Sequence, residues 1–78
     1  MERFGEKLRF LRKQRGLTIK EFAKGIGHTT HSHISEFETG KRKPSLDFAL
    51  RVSIFFGVPL DQLVKDDLEL ESSRSESS

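Results

Sequence analysis

Apolar residues recur at helical spacing in five separate stretches of the chain. Phe4, Leu8 and Leu11 stand at i, i+4 and i+7, one stripe of a helix over about Glu2 to Arg15 closed by Gly16, with Phe10 off the stripe as a surplus hydrophobe. Phe22, Ala23 and Ile26 mark a second helix from Ile19 to Ile26. Thr18 and Glu21, three residues apart, form a capping box at its start, and Gly27 stops it. A third, from His31 to Thr39, has only Ile34 and Phe37 as apolar anchors before Gly40 ends it. Pro44 cannot continue a helix, and Ser45 is a natural N-cap for a fourth over Leu46 to Phe56, with Asp47 favourable in its first turn. Its core stripe is expected at Leu46, Ala49, Ser53 and Phe56, flanked by Leu50 and Val52, with Gly57 as the stop. A fifth starts near Pro59 with Leu60, Leu63 and Val64 as its apolar face, and a weaker apolar continuation through Leu68 and Leu70 extends it toward residue 70. No strand signal and no internal repeat appear. The pattern predicts an all-α domain over residues 1–70 and a polar tail, 71–78, which has nothing to bury and is expected to be disordered.

The third helix is the odd one. Its side chains outside the two anchors are small or polar, so it is either a plain solvated helix or a reading head. A chain of 78 residues supports a single modest core. It has no cysteine, hence no disulfide and no thiolate metal site. No apolar run approaches the roughly 18 residues of a membrane span, and the mixed-charge N-terminus is not a signal peptide, so a cytoplasmic protein is expected. Net charge is only +2, yet residues 1–43 carry eleven Lys/Arg against five Asp/Glu, and residues 44–78 three against seven. A basic half on a small helical domain suits a phosphate backbone, although a solvated basic surface has the same composition. His28, His31 and His33 invite a metal reading, but His31 and His33 are two apart on a helix and diverge. No metal and no cofactor are expected. With no nucleophile–base pair and no Gly-rich phosphate cradle, an enzyme is not expected either.

The ordered series Leu8…Leu11-Arg12, Gly16-Leu17-Thr18, Glu21-Phe22-Ala23, Ile26-Gly27, Ile34-Ser35, Glu38-Thr39-Gly40, Pro44-Ser45-Leu46 and Gly57-Val58 with Leu60 and Leu63 resembles the Cro/C1-type (Xre) helix-turn-helix family, which includes the lambdoid phage repressors. The resemblance covers about Phe4 to Val64. It implies a five-helix, lambda-repressor-like fold whose helix-turn-helix is made by helices two and three. It further implies a bacterial or phage transcription regulator that binds double-stranded DNA sequence-specifically. The third helix would lie in the major groove, and the protein would be a homodimer on a palindromic operator with half-sites roughly 34 Å apart.

Three departures from the family pattern are visible. The stretch from Gly27 to Ile34 is one residue longer than usual, Ile19 stands where many relatives have Gln, and the base-reading positions hold no Arg, Asn or Gln. Counting back from Ile34, Glu38 and Gly40, the resemblance makes His31, Ser32, Ser35 and Glu36 the base-edge candidates, with Thr30 as N-cap. Lys20, Thr30, His33, Lys41, Arg42 and Lys43 become phosphate contacts, and Arg12 and Glu38 an inward ion pair. Glu can accept from cytosine N4 but repels phosphate, which makes Glu36 a specificity residue or a bystander. The fourth helix carries more hydrophobes than one stripe needs. Phe48 and Phe55, with Ile54, either seal against helix one or five or form a subunit interface with Leu60 and Leu68. The rival reading is a protein-interaction module, antitoxin-like or bound to an unidentified partner, that kept the fold without specific DNA binding.

Overall fold

Several of the helices begin or end at a residue, local or distant, that satisfies free backbone groups. The computed structural model describes residues 2–27 and 31–70, residue 31 for its backbone only. Its elements are α1 (Phe4–Gln14), α2 (Ile19–Ile26), α3 (His31–Thr39), α4 (Leu46–Phe56) and α5 (Leu60–Val64), with no strand among the described residues. The Thr18 hydroxyl accepts from Glu21 N–H at 3.1 Å while the Glu21 carboxylate accepts from Thr18 N–H at 2.8 Å, the reciprocal capping box. The Ser45 hydroxyl accepts from Phe48 N–H at 3.1 Å and starts α4. Pro59 is the N-cap of α5, one position before the first helical residue.

The core runs through all five helices: Phe4, Leu8 and Leu11 of α1, Phe22 and Ala23 of α2, Ile34 and Phe37 of α3, Phe48, Ala49, Val52 and Phe56 of α4, and Leu63 of α5. Two aromatic groups fill it. Phe48 stacks on Phe37 at 4.5 Å between centroids and tilts against Phe4 at 6.1 Å. Phe22 lies between Phe56, stacked on it at 5.5 Å, and Phe55, whose ring meets it edge-on at 5.3 Å. Such pairs add roughly 0.5–1.5 kcal/mol each beyond area burial.

These contacts correct two expectations for α4. The buried stripe is Phe48, Ala49, Val52 and Phe56, and Leu46 is 61 % exposed. Phe48 is therefore a core residue and cannot serve as a subunit interface. Its ring is taken by Phe4 and Phe37, on helices one and three. Phe55 and Leu60 likewise pack against the core, and Leu68 is half-buried.

Helix five ends at Val64 and does not reach residue 70. Lys65 is extended at φ −92°, ψ 118°, because the following carbonyls turn to another partner. The Lys7 ammonium, 2 % exposed as a residue, donates to the Gln62, Lys65 and Leu68 carbonyls at 2.6, 2.9 and 2.6 Å. Burial pushes it below the ordinary lysine range. Asp66 accepts from the backbone N–H of Arg3 at 2.8 Å and of Glu2 at 3.1 Å, capping α1, whose own N-cap residue supplies no side-chain bond. Arg3 in turn forks onto Glu69 at 2.9 and 3.2 Å, and Leu70 is buried. Residues 65–70 thus form a strap across α1. The tail 71–78 lies outside the described residues.

Candidate nucleic-acid interface

Helix α3 is fixed on its inner side by three residues. Ile34 and Phe37 are buried in the core. Glu38 forms a two-pronged ion pair with Arg12 of α1, at 2.7 Å to Nε and 3.1 Å to Nη2, the side chains being 5 % and 11 % exposed. Arg12 Nη1 also donates to the Leu17 carbonyl at 2.7 Å, which ties the turn before α2 into the same cluster. At the crossing of α1 with α3, Gly5 is buried. A Cβ there would stand 2.8 Å from the Glu38 carbonyl oxygen and closer still to that of Phe37. The two backbones touch because no side chain intervenes.

With about 100° between successive residues, Ser32, Ser35, Glu36 and Thr39 share one arc, opposite Ile34 and Phe37. Ser32, Ser35 and Thr39 are exposed and Glu36 is half-buried. The structure therefore brings three of the four base-edge candidates together and adds Thr39. Its spacing, i+4 from Ser35 and i+3 from Glu36, was the signal that could have found it. The Thr39 hydroxyl donates to the Ser35 and Glu36 carbonyls at 3.1 and 3.3 Å. His33 is half-buried on the flank of the arc, near enough to Glu36 to help hold its carboxylate ionised. The side chain of His31 and all of Thr30 and His28 lie outside the described residues.

The chain turns back at Gly40, whose φ of +80° is open to glycine at no cost. Lys41 N–H then donates to the Glu36 carbonyl at 2.9 Å and Arg42 N–H at 3.3 Å. This return sets Arg42 Nε 2.8 Å from the Glu36 carboxylate, which is thereby held below the usual carboxylate range. The pairing was not legible from spacing, since only the turn brings the two together. Lys41 and Lys43 are exposed and form no salt bridge among the described residues; so is Lys20 on α2. Ile19, the family departure, is partly buried and packs on the core, so it contributes nothing to an outer contact. A cleft of about 570 Å³ opens beside the loop, walled by Arg42, Lys43 and Pro44 on one side and Glu2 and Gly5 on the other. Its mixed charge makes it a poor anion pocket.

No helix of the described residues is long and apolar enough to cross a membrane. Residues 8–63 match the family model described as helix-turn-helix (HTH_3). The chain is 36 % identical over 63 residues to the cryptic phage CTXphi transcriptional repressor RstR of Vibrio cholerae, covering 81 % of this chain and 56 % of that protein. It is 33 % identical over 64 residues to the HTH-type transcriptional activator BcrR of Enterococcus faecalis, covering 82 % of this chain and 31 % of that protein. The chain thus spans about half the length of one relative and a third of the other. Its fold superposes on the N-terminal DNA binding domain of SinR from Bacillus subtilis with a TM-score of 0.77 at 26 % identity, covering 88 % of this chain and 100 % of that one. The chain belongs to the helix-turn-helix family of Cro/C1 type.

Proposed function

We propose that this protein is a transcription regulator that binds double-stranded DNA sequence-specifically, with α3 lying in the major groove. The observation that carries this is the two-sided build of α3. One side is locked by Ile34, Phe37 and the Arg12–Glu38 pair, and the other offers Ser32, Ser35, Glu36 and Thr39 to solvent beside a cationic loop. A rigidly held polar arc next to phosphate-binding charge is what groove reading needs. Ser32 and Ser35 would face base edges with His31, and Glu36 would accept from cytosine N4. Lys20, Lys41 and Lys43, with Thr30 and His33, would take phosphates. Arg42 would serve both as a phosphate contact and as the clamp on Glu36. The protein would act in the cytoplasm as a homodimer on a palindromic operator. Its relatives are named both repressor and activator, so control of transcription is the shared property and its sign is not.

A second reading has its own support. Ile19 is turned inward, and the reading arc carries a negative charge with no Arg, Asn or Gln. Both suit a protein-binding surface on the same fold. Selection from a pool of random duplexes at two salt concentrations separates the two. An enriched palindrome whose affinity falls steeply with salt is the expected result. Weak binding with no enriched sequence at either salt would overturn the regulator in favour of the interaction module.

A further inference from the structure

The polar arc of α3 carries a Glu and lacks an Arg, and the loop after the helix brings one to it. That loop holds Glu36 at two points. The Glu36 carbonyl accepts from Lys41 N–H at 2.9 Å and from Arg42 N–H at 3.3 Å, and its carboxylate accepts from Arg42 Nε at 2.8 Å. Both side chains stay open to solvent, 41 % exposed for Glu36 and 46 % for Arg42. The ion pair uses Nε alone, and among the described residues Nη1 and Nη2 of Arg42 have no hydrogen-bond partner. We propose that Glu36 and Arg42 read one C·G base pair as a unit, Arg42 Nη1 and Nη2 donating to guanine O6 and N7 while the Glu36 carboxylate accepts from N4 of the paired cytosine. The proposal rests on the DNA-binding reading above and deepens it. It moves Arg42 from the phosphate contacts to the base contacts and gives Glu36 a partner in the groove.

The pattern of donors and acceptors selects this base pair. In the major groove a C·G pair presents two acceptors on guanine and then one donor on cytosine. The ion pair presents the complement in the same order. Nε and the two terminal nitrogens belong to one planar group, so the fork lies next to the carboxylate that Nε holds. On an A·T pair the adenine donor stands between two acceptors. The fork then meets one acceptor and one donor, and a hydrogen bond is lost.

Charge selects a base over a phosphate. Alone on the arc, Glu36 would repel the backbone; joined to Arg42 it forms a unit of no net charge. Such a unit gains little from a phosphate and suits the uncharged edge of a base. Lys41 and Lys43, exposed and in no salt bridge among the described residues, remain for the backbone. The arrangement is also made in advance. The Arg42 bond holds the Glu36 carboxyl below the usual range, so it is an ionised acceptor at neutral pH. Part of the rotamer freedom of two long side chains is lost before DNA arrives, and less is lost on binding.

Selection from random duplexes, followed by affinity measurements on the enriched site, tests this. Wild type is expected to enrich a fixed C·G pair in each half-site, and changing that pair to A·T should weaken binding at least about fivefold. Arg42→Ala and Glu36→Ala should each abolish most of that penalty while preferences at other positions and the circular dichroism spectrum are retained. 7-Deazaguanine, which lacks the N7 acceptor, should weaken wild type at that pair and leave Arg42→Ala unaffected, a difference that a purely structural role for Arg42 does not produce. Removing both side chains deletes no net charge, so the double variant should keep the wild-type slope of log K against log salt. An enriched site without a fixed C·G pair, a C·G preference that survives in Arg42→Ala, an equal response of both proteins to 7-deazaguanine, or a double variant with a slope shallower by about 0.9, the mark of a lost phosphate contact, would each overturn the proposal and leave the regulator standing. A wild type that enriches no sequence would overturn both.

Discussion

At the scale of single residues, the placement of α3 depends on two positions that do not face solvent. Gly5 permits a close backbone approach, α1 on the end of α3. Gly5→Ala raises helix propensity but drives a methyl into two backbone carbonyls, which cannot rotate away as a side chain would. The overpacking should cost about 3 kcal/mol, and thermal unfolding should show a melting temperature lower by roughly 10 °C or more. Glu38 sits in the same crossing. Glu38→Ala leaves the Arg12 guanidinium buried without its carboxylate, a loss of about 3–5 kcal/mol measurable by urea unfolding. Replacing both by apolar residues, Arg12→Met with Glu38→Leu, should recover much of that loss; an equally unstable double variant would mean that the bond from Arg12 to Leu17 carries the stability instead. The Arg12–Glu38 pair was legible from the family resemblance. Gly5 was not, because its meaning lies in an approach between helices distant in sequence.

At the scale of elements, the helix spans were legible from their punctuation, since Thr18, Ser45 and the glycines act within a few residues. The face that α4 buries was not. Eight of its eleven residues are apolar, so helical periodicity has little contrast there, and the choice fell to Phe4 and Phe37, which capture Phe48. The end of α5 was illegible for a similar reason. Leu68 and Leu70 keep a helical rhythm, but Lys7 draws the carbonyls of Gln62, Lys65 and Leu68 to itself and Asp66 is committed to α1. That commitment has a pH signature. The backbone bond from Arg3 holds the Asp66 carboxyl below its ordinary value of 3.8. The unfolded chain thus takes up the proton first as pH falls. The stability from Asp66 is complete above that ordinary value and is lost as pH drops through the lower folded one. Asp66→Asn should therefore flatten the acid limb of stability against pH, with variant and wild type converging once pH has fallen below the folded-state value. Parallel limbs for the two proteins would show that the cap contributes nothing.

At the scale of the whole molecule, the basic half of the sequence divides, with most of its cations exposed and three of them spent inside the fold. Arg3, Lys7 and Arg12 hold the architecture together, and Arg42 is partnered by Glu36. Counting charges along the chain thus overstated the surface available to phosphate. For duplex DNA, the slope of log K against log salt should become shallower by about 0.9 for each loop lysine that contacts a phosphate. Lys41→Ala with Lys43→Ala should lower the slope by up to about 1.8; an unchanged slope would remove the loop from the contact set. The strap over α1 bears on how the chain is made. Its bonds join Arg3 to Asp66 and Glu69, residues 63 to 66 positions apart. A nascent chain that has emerged only as far as Val64 carries all five helices, yet Lys7 lacks two of its three carbonyls and α1 lacks its cap. Final closure must wait for the strap to clear the ribosome, so a pause in translation there would hold the domain in its least protected form.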